Sequence, residues 1–177
     1  VEAWNAPAKG NPENPVTFTR YFYVSILTSV LTTVGTLFTS ILAAYAFAKM
    51  RFRGRNLFFL IVLATMMVPS QVLIIPDFLI LARLPDYTFG MRWLDNYPAL
   101  IVPWLASVFS IFLLRQFFIN IPDDLWDAAQ IDGAGRFRYL WQVMVPLSKP
   151  ALITAGIFIF LGEWNSLLWP LIVTTSP

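Results

Sequence analysis

The chain has 177 residues, of which 58% are hydrophobic and only 12% charged, with a formal net charge of +2 at pH 7. Since roughly a quarter of the residues of a typical soluble domain are charged, this composition excludes an ordinary soluble protein and indicates an integral membrane protein. The absence of Cys and His excludes disulfides and Cys–His or Ser–His nucleophiles, and it predicts no metal site. The basic residues form no contiguous face, so nucleic acid is not an expected partner.

The N-terminal segment 1–20 is rich in Pro and Asn, and we expect it to be an irregular periplasmic segment. The chain begins with Val1 rather than Met and stops at Pro177 soon after an apolar run. We therefore expect a piece of a longer protein, without some flanking membrane helices.

Four apolar runs approach or exceed the roughly 20 residues that a helix needs to cross a membrane. They predict spans at about 21–48, 56–82, 96–114 and 150–174. Pro69 and Pro76 lie in the second run, and each removes a backbone donor, so that helix is expected to be kinked or broken.

Basic residues in short loops predict the orientation, because Lys and Arg are retained on the cytoplasmic side. The loop after the first span contains Lys49, Arg51, Arg53 and Arg55 with no acidic residue between them, so it is predicted to be cytoplasmic. Counting spans alternately puts the loop 115–149 on the same side. Asp77 and Arg83 are predicted to mark the outer membrane edge.

The loop 115–149 is predicted to form two helices joined by a bend. Pro122 suits the first turn of a helix that ends near Ile131, and Asp123, Asp124 and Asp127 suit the positive end of its dipole. Gly133 is expected to take a positive φ at the bend.

An amphipathic helix follows the bend, with one apolar stripe made by Phe137, Leu140, Trp141 and Met144. Pro146 is expected to end this helix. By spacing alone, the loop is either a docking element for a soluble protein or an interfacial helix that covers the bundle end.

Polar residues within the spans have two interpretations each. Exposing the Glu163 carboxylate to lipid is energetically unfavourable, so this side chain must face the bundle or a water-filled cavity. With Trp164, Asn165 and Gln71 it forms a candidate translocation pathway, in which an aromatic ring and amide groups contact a polar solute. The alternative is a structural hydrogen bond to a neighbouring span. No phosphate-binding G-x-x-x-x-G-K-S/T sequence occurs, so the chain is not itself an ATPase.

One ordered set of residues in the loop carries a family resemblance. It consists of Asp127-Ala128-Ala129, then Asp132-Gly133-Ala134, then Pro146-Leu147-Ser148-Lys149-Pro150. It resembles the EAA loop by which ABC importer permeases engage their ATPases. Further similar stretches are Ala44–Lys49, Met66–Pro69 with Ile75-Pro76, Arg115–Phe118, and Trp164-Asn165 with Trp169-Pro170.

The resemblance is to the carbohydrate branch of binding-protein-dependent permeases, similar to the maltose permease of the G type. It implies an all-α polytopic bundle, the ABC type I importer transmembrane domain, with four spans present of six. The site residues it implies for ATPase coupling are Asp127, Ala128, Ala129, Asp132, Gly133, Ala134 and Pro146. Asp127 replaces the family's Glu, and Val24 and Ser166 also depart from the usual pattern.

The resemblance also implies partners and a location. The partners are a second permease, two cytoplasmic ATPases that bind ATP and Mg²⁺, a periplasmic or lipid-anchored solute-binding protein, and membrane lipid. The location is a bacterial inner membrane, which the chain crosses several times. No cofactor is expected in this chain. The implied solute is a sugar or oligosaccharide. The alternatives are another polar solute such as glycerol phosphate, or a membrane scaffold that recruits a soluble partner without transport.

Overall fold

A computed structural model describes residues 18–83, 93–94 and 96–174, without the side chains of Phe18 and Thr19. The predicted periplasmic segment therefore lies almost wholly outside the described residues. All regular structure within these ranges is helical. The helices are α1 Phe18–Lys49, α2 Arg55–Thr65, α3 Ser70–Arg83, α4 Tyr97–Ile101, α5 Val108–Ile119, α6 Asp124–Ile131, α7 Arg136–Tyr139, α8 Val145–Leu147, α9 Lys149–Trp164 and α10 Leu168–Val173, with a 3-10 turn at Val102–Trp104 and a π turn at Leu140–Met144.

The longest helix, α1, contains the first predicted span and extends a few residues beyond it. Apart from Ile41, its buried positions are small or hydroxyl-bearing, whereas large apolar side chains such as Val34 and Phe38 are exposed. The buried set recurs every three or four residues: Ser29, Thr32, Thr36, Ser40 and Ala44. Such a face lets neighbouring backbones approach closely, which is how membrane helices pack without a hydrophobic driving force.

The second predicted span is broken, as its prolines indicate. Helix α2 ends at Thr65, and α3 begins at Ser70 directly after Pro69. Pro76 lies inside α3 and does not end it. The break therefore falls at the first proline.

The third and fourth predicted spans are also interrupted; the apolar run did not indicate the break in the third, whereas the break in the fourth falls at its polar residues Glu163 to Asn165. After α4 and the 3-10 turn, a new helix starts at Val108, because the Ser107 hydroxyl accepts a hydrogen bond from the Ser110 N–H at 3.2 Å and caps it. Helix α5 then continues to Ile119, beyond the predicted end at 114. Likewise α9 ends at Trp164, and α10 is a separate helix.

Within the described residues, α1 alone is long and apolar enough to cross a membrane as one helix. The total rises to four if each of three bent helix pairs forms one span. Many large apolar side chains are exposed, including Met67, Ile75 and Leu171. A soluble monomer rarely exposes so much apolar surface, so these faces suit lipid or another membrane subunit.

The described residues divide into two compact units, each with its own core. The first unit comprises parts of Val1–Thr33, Ser70–Leu105 and Phe160–Pro177. Its core holds Leu81, Ala99, Trp169 and Val173, and the buried Trp169 indole N–H donates to the Ala99 carbonyl at 2.9 Å.

The second unit comprises Val34–Pro69 and Ala106–Ile159. Its core joins residues of α1 and α5 to residues that follow the bend predicted in the loop 115–149. The members are Ile41, Ala44, Tyr45, Leu114, Phe118, Tyr139, Leu140, Met144 and Ala151.

Candidate functional site

The coupling segment, defined as residues 120–148, opens with helix α6. Asp124 and Asp127 lie in its first turn, where the dipole favours negative charge. Asp123 precedes the helix but makes no side-chain capping bond, because its carboxylate bonds Lys49 instead. The helix ends at Ile131, as predicted.

The bend after α6 has the geometry of a Schellman motif. The Gly133 N–H donates to the Gln130 carbonyl at 3.0 Å, and the Ala134 N–H donates to the Ala129 carbonyl at 2.8 Å. Gly133 has a φ of +75°, which confirms the left-handed conformation predicted from the sequence. The two bonds satisfy carbonyls that a helix end otherwise leaves open, so the bend is fixed by its own backbone.

The helix after the bend corrects the predicted apolar stripe. Leu140 and Met144 are buried as expected, but Phe137 is 66% exposed, and Tyr139, which the stripe omits, is only 1% exposed. The cause is the π turn at 140–144, whose hydrogen bonds join residues five apart and so align Tyr139 with Met144. Heptad-like spacing cannot reveal such a turn.

Pro146 also departs from its predicted role. It lies at the start of α8, and the helical segment ends one residue later, at Leu147. Pro146 follows the π turn after one intervening residue, Val145, and the wider backbone spacing of that turn accommodates a residue without an N–H. Helix α9 then leaves at an angle of 81° to the segment Arg136–Leu147.

The residues implied in ATPase coupling share one accessible region around the bend. Asp127, Ala128, Asp132 and Gly133 are exposed, whereas Ala129 and Ala134 are half-buried. Pro146 is exposed at the other end of the following helix. Ile131, 87% exposed, and Phe137 flank the bend with apolar surface. The arrangement presents small residues and two apolar side chains to anything that approaches Gly133.

The coupling segment is tied to the end of α1 by Lys49. The Lys49 ammonium donates to the Ile121 carbonyl at 2.6 Å and to the Asp123 carboxylate at 2.5 Å. Lys49 is only 12% exposed, whereas Asp123 is 74% exposed. The hydrogen bond from Lys49, and then its charge, hold the pKa of Asp123 below its usual value.

Two guanidinium groups donate hydrogen bonds to backbone carbonyls at the C-terminal end of α1. Arg115 donates to the Phe47 carbonyl at 3.2 Å, and its guanidinium lies 4.0 Å above the Phe59 ring. Arg55 donates to the carbonyls of Ala48 and Met50. Cations are favourable at the C-terminal end of a helix dipole. The sequence indicated Arg55 as a marker of topology and Arg115 as part of a family-like stretch, but neither as a partner of this helix end.

A second candidate site, in the first unit, brings together two of the four predicted pathway residues. Gln71 and Asn165 both line a hollow of about 280 Å³, with Ser70, Ser166, Trp104 and Trp169. The Asn165 amide N–H donates to the Leu161 carbonyl at 2.7 Å, which leaves its oxygen available as an acceptor. None of the described residues that line the hollow has a charged side chain.

The other two predicted pathway residues do not line this hollow. The Trp164 ring stacks on Phe160 at 5.9 Å and meets Phe22 edge-on at 5.7 Å. Glu163 is half-buried on α9 and makes no ion pair within the residues the structure describes. Trp104 and Trp169 line the hollow but were not among the predicted pathway residues; only the family-like pair Trp169-Pro170 pointed to this region.

These features define a helical transmembrane domain of the ABC importer type, with a bent segment between two of its apolar helices. The family described as the binding-protein-dependent transport system inner membrane component matches residues 35–177, and the chain belongs to that family.

Curated relatives are similar along most of this chain. An sn-glycerol-3-phosphate transport system permease protein of Yersinia enterocolitica is 38% identical over 98% of this chain and 58% of its own length. An arabinooligosaccharides transport system permease protein of Bacillus subtilis is 38% identical over 89% of this chain and 53% of its own length. The chain thus spans little more than half the length of these relatives.

A solved structure has the same fold. A chain of a bacterial ABC transporter involved in the import of the acidic polysaccharide alginate superposes with a TM-score of 0.75 and 27% sequence identity. The match covers 99% of this chain and 66% of the other. The predicted all-α type I importer fold is therefore confirmed.

Proposed function

We propose that this chain is part of a permease subunit that crosses a bacterial inner membrane several times and forms half of the pathway of an ATP-driven importer. Its partners are a second permease, two cytoplasmic ATPases that bind ATP and Mg²⁺, and a solute-binding protein outside. Family membership supports this assignment, and so does the fold shared with an importer of known structure. The chain supplies no catalysis of its own.

The observation that carries the coupling role is the fixed bend at Gly133. Its backbone bonds make the segment resist deformation there, and the flanking Ile131 and Phe137 are apolar and exposed. An exposed apolar pair around small residues suits insertion into a cleft of another protein. Closure of the ATPase pair on ATP then pushes the segment, and the helices attached to it tilt to alternate access.

Gly133→Trp tests this role. A Cβ at Gly133 meets no atom of the described residues within 4 Å, apart from its own chain neighbours, so a large side chain there projects into the space proposed for the partner. We expect the variant to insert in the membrane normally. The ATPase should no longer co-purify with it, and cells that carry it should show no solute uptake. Gly135→Ala, where φ is negative and space is also open, is the matched control and should transport normally.

Normal uptake by Gly133→Trp would contradict the coupling role. A scaffold that recruits a soluble partner without transport is distinguished by the same preparation: retention of an ATPase by wild type, together with solute-dependent ATP hydrolysis, supports the importer. A bound partner without hydrolysis supports the scaffold.

The proposed solute is a sugar or oligosaccharide, taken up through a pathway that includes the hollow at Gln71 and Asn165. Amide groups and indole rings are suited to hydroxyls and sugar faces, and the uncharged lining offers no ion pair to a phosphate. Glycerol phosphate is the second candidate, because several relatives at 38–39% identity are named for its transport. Proteoliposome uptake of labelled arabinooligosaccharides and of glycerol 3-phosphate separates them. Gln71→Leu should raise the KM of the true solute several-fold.

A further inference from the structure

A polar cavity of about 590 Å³ lies within the second unit, between the end of α1 and the coupling segment. Four basic side chains line it: Lys49, Arg51, Arg55 and Arg136. Two carboxylates, Asp123 and Asp127, and two tyrosines, Tyr45 and Tyr139, line it as well. The coupling role uses Gly133 and its exposed neighbours, so the basic interior of this cavity has no assigned purpose.

The charges of the lining do not neutralise one another. Lys49 is bonded to Asp123, and one nitrogen of Arg55 bonds backbone carbonyls. Arg51 makes no hydrogen bond or ion pair with any described residue, and Arg136 contacts the face of Trp126 at 5.6 Å. Arg51 also acts electrostatically on Asp123, so the two carboxylates of the lining face four basic side chains. The cavity is therefore positive in balance and has donors that the protein itself does not use.

Tyr139 gives independent evidence for a ligand. It is 1% exposed, yet its hydroxyl has no hydrogen-bond partner among the described residues. A buried hydroxyl without a partner is unfavourable, and native structures usually satisfy it. Burial also raises the pKa of the Tyr139 hydroxyl, so at neutral pH it remains a donor.

We propose that this cavity binds a phosphate group, held by the guanidinium groups of Arg51 and Arg136, with the Tyr139 hydroxyl as a further donor. Guanidinium forks match the oxygens of phosphate in geometry and charge, and basic pockets at the cytoplasmic ends of membrane helices are suited to phospholipid headgroups. The phosphate belongs either to an anionic phospholipid of the inner leaflet or to a free phosphate ion. The site needs neither transport nor a particular solute.

Two binding measurements on the assembled transporter separate these sources. In the lipid arm, nanodiscs containing phosphatidylglycerol are exchanged into detergent, and the lipid retained per complex is counted by native mass spectrometry. In the ion arm, complexes in pure phosphatidylcholine nanodiscs are dialysed against labelled inorganic phosphate. The test variant is Arg51→Gln with Arg136→Gln.

The matched control is Arg53→Gln with Arg138→Gln, which removes the same charge from the same two stretches. Neither residue lines the cavity, and Arg138 bonds Gln142 at 2.9 Å. We expect wild type and the control to retain one more phosphate group per permease copy than the test variant, in one of the two arms. Tyr139→Phe, which removes only the hydroxyl, should weaken binding several-fold and guards against a folding defect in the double variant.

Equal binding by wild type and the test variant in both arms would overturn the site. Equal losses in the test and control variants would also overturn it, because they would reflect general charge rather than this cavity. If neither arm shows binding and the test variant loses its ATPase, the cavity receives an acidic side chain of the partner, and the phosphate assignment is wrong. Comparison between variants cancels the phosphate bound by the ATPases themselves.

Discussion

Lys49, the last residue of α1, and Asp123, the residue before α6, are joined by a 2.5 Å ion pair across 74 positions of sequence. The same ammonium bonds the Ile121 carbonyl at 2.6 Å. One cation therefore satisfies the negative end of one helix dipole and fixes the start of the coupling segment. Neither residue belongs to the core of the second unit, so each partner can be changed without altering that core.

Lys49→Met should weaken the attachment of the coupling segment to α1. Both acceptors lose their donor, whereas the aliphatic packing of the side chain is largely retained. We expect ATP hydrolysis by the assembled transporter to continue and solute taken up per ATP to fall several-fold. Arg53→Met is the control, since Arg53 lies in the same basic loop without a hydrogen bond to the segment. An unchanged transport-to-hydrolysis ratio in Lys49→Met would argue against the attachment.

Asp123→Asn should lower stability at neutral pH but not in strong acid. The pKa of Asp123 is depressed in the folded state, so its pairing stabilises the fold above the unfolded value of about 3.9 and is lost as pH falls through the lower folded value. The effect is small, because the carboxylate is largely exposed. The measurement is the Tm difference between wild type and variant at pH 7 and at pH 3. A difference that does not shrink between pH 7 and pH 3 would show that charge is not its source.

Gly133→Ala should destabilise the bend without any steric clash. The φ of +75° costs a residue with a Cβ about 1–2 kcal/mol, while the surrounding space is open. Gly135→Ala has equal space and a φ of −77°, so we expect it to change stability by less than about 0.5 kcal/mol. Thermal unfolding of the two variants gives the comparison, and equal stability would mean that the left-handed conformation is not required.

Trp169→Phe should destabilise the first unit. It leaves the Ala99 carbonyl without its buried donor, and an unsatisfied buried group costs about 1–3 kcal/mol. It also removes part of the ring that meets Trp104 edge-on at 5.8 Å. Trp164→Phe, at an exposed ring, is the control and should have little effect on Tm. If the two substitutions lowered Tm equally, the buried hydrogen bond would not be the cause.

Local chemistry made the helix α6 and its bend predictable from the sequence. Pro122 and the acidic residues indicate a helix start. A Schellman ending needs a residue in the left-handed conformation after the helix, and Gly133 adopts it readily. The helical class was also predictable, because long uncharged runs have few other folds in a membrane.

The remaining features were not indicated by hydropathy or by regular helical spacing. Ser107 starts a new helix inside an apolar run by a single hydroxyl bond, which hydropathy does not register. The π turn shifts the buried face onto Tyr139 and away from Phe137. The shared hollow of Gln71 and Asn165 arises only when α3 and the region before α10 come together.

The core of the second unit has a mechanical consequence. Tyr139 and Met144, which follow the bend, are buried together with Ile41 of α1 and Leu114 of α5. A displacement applied at the tip of the coupling segment is thus transmitted to α1 by side-chain packing, although no peptide bond joins the two. Cutting the backbone between residue 120 and α6 would leave these side-chain contacts in place. Substitutions that loosen the contacts would reduce the displacement that reaches α1, even in an uncut chain.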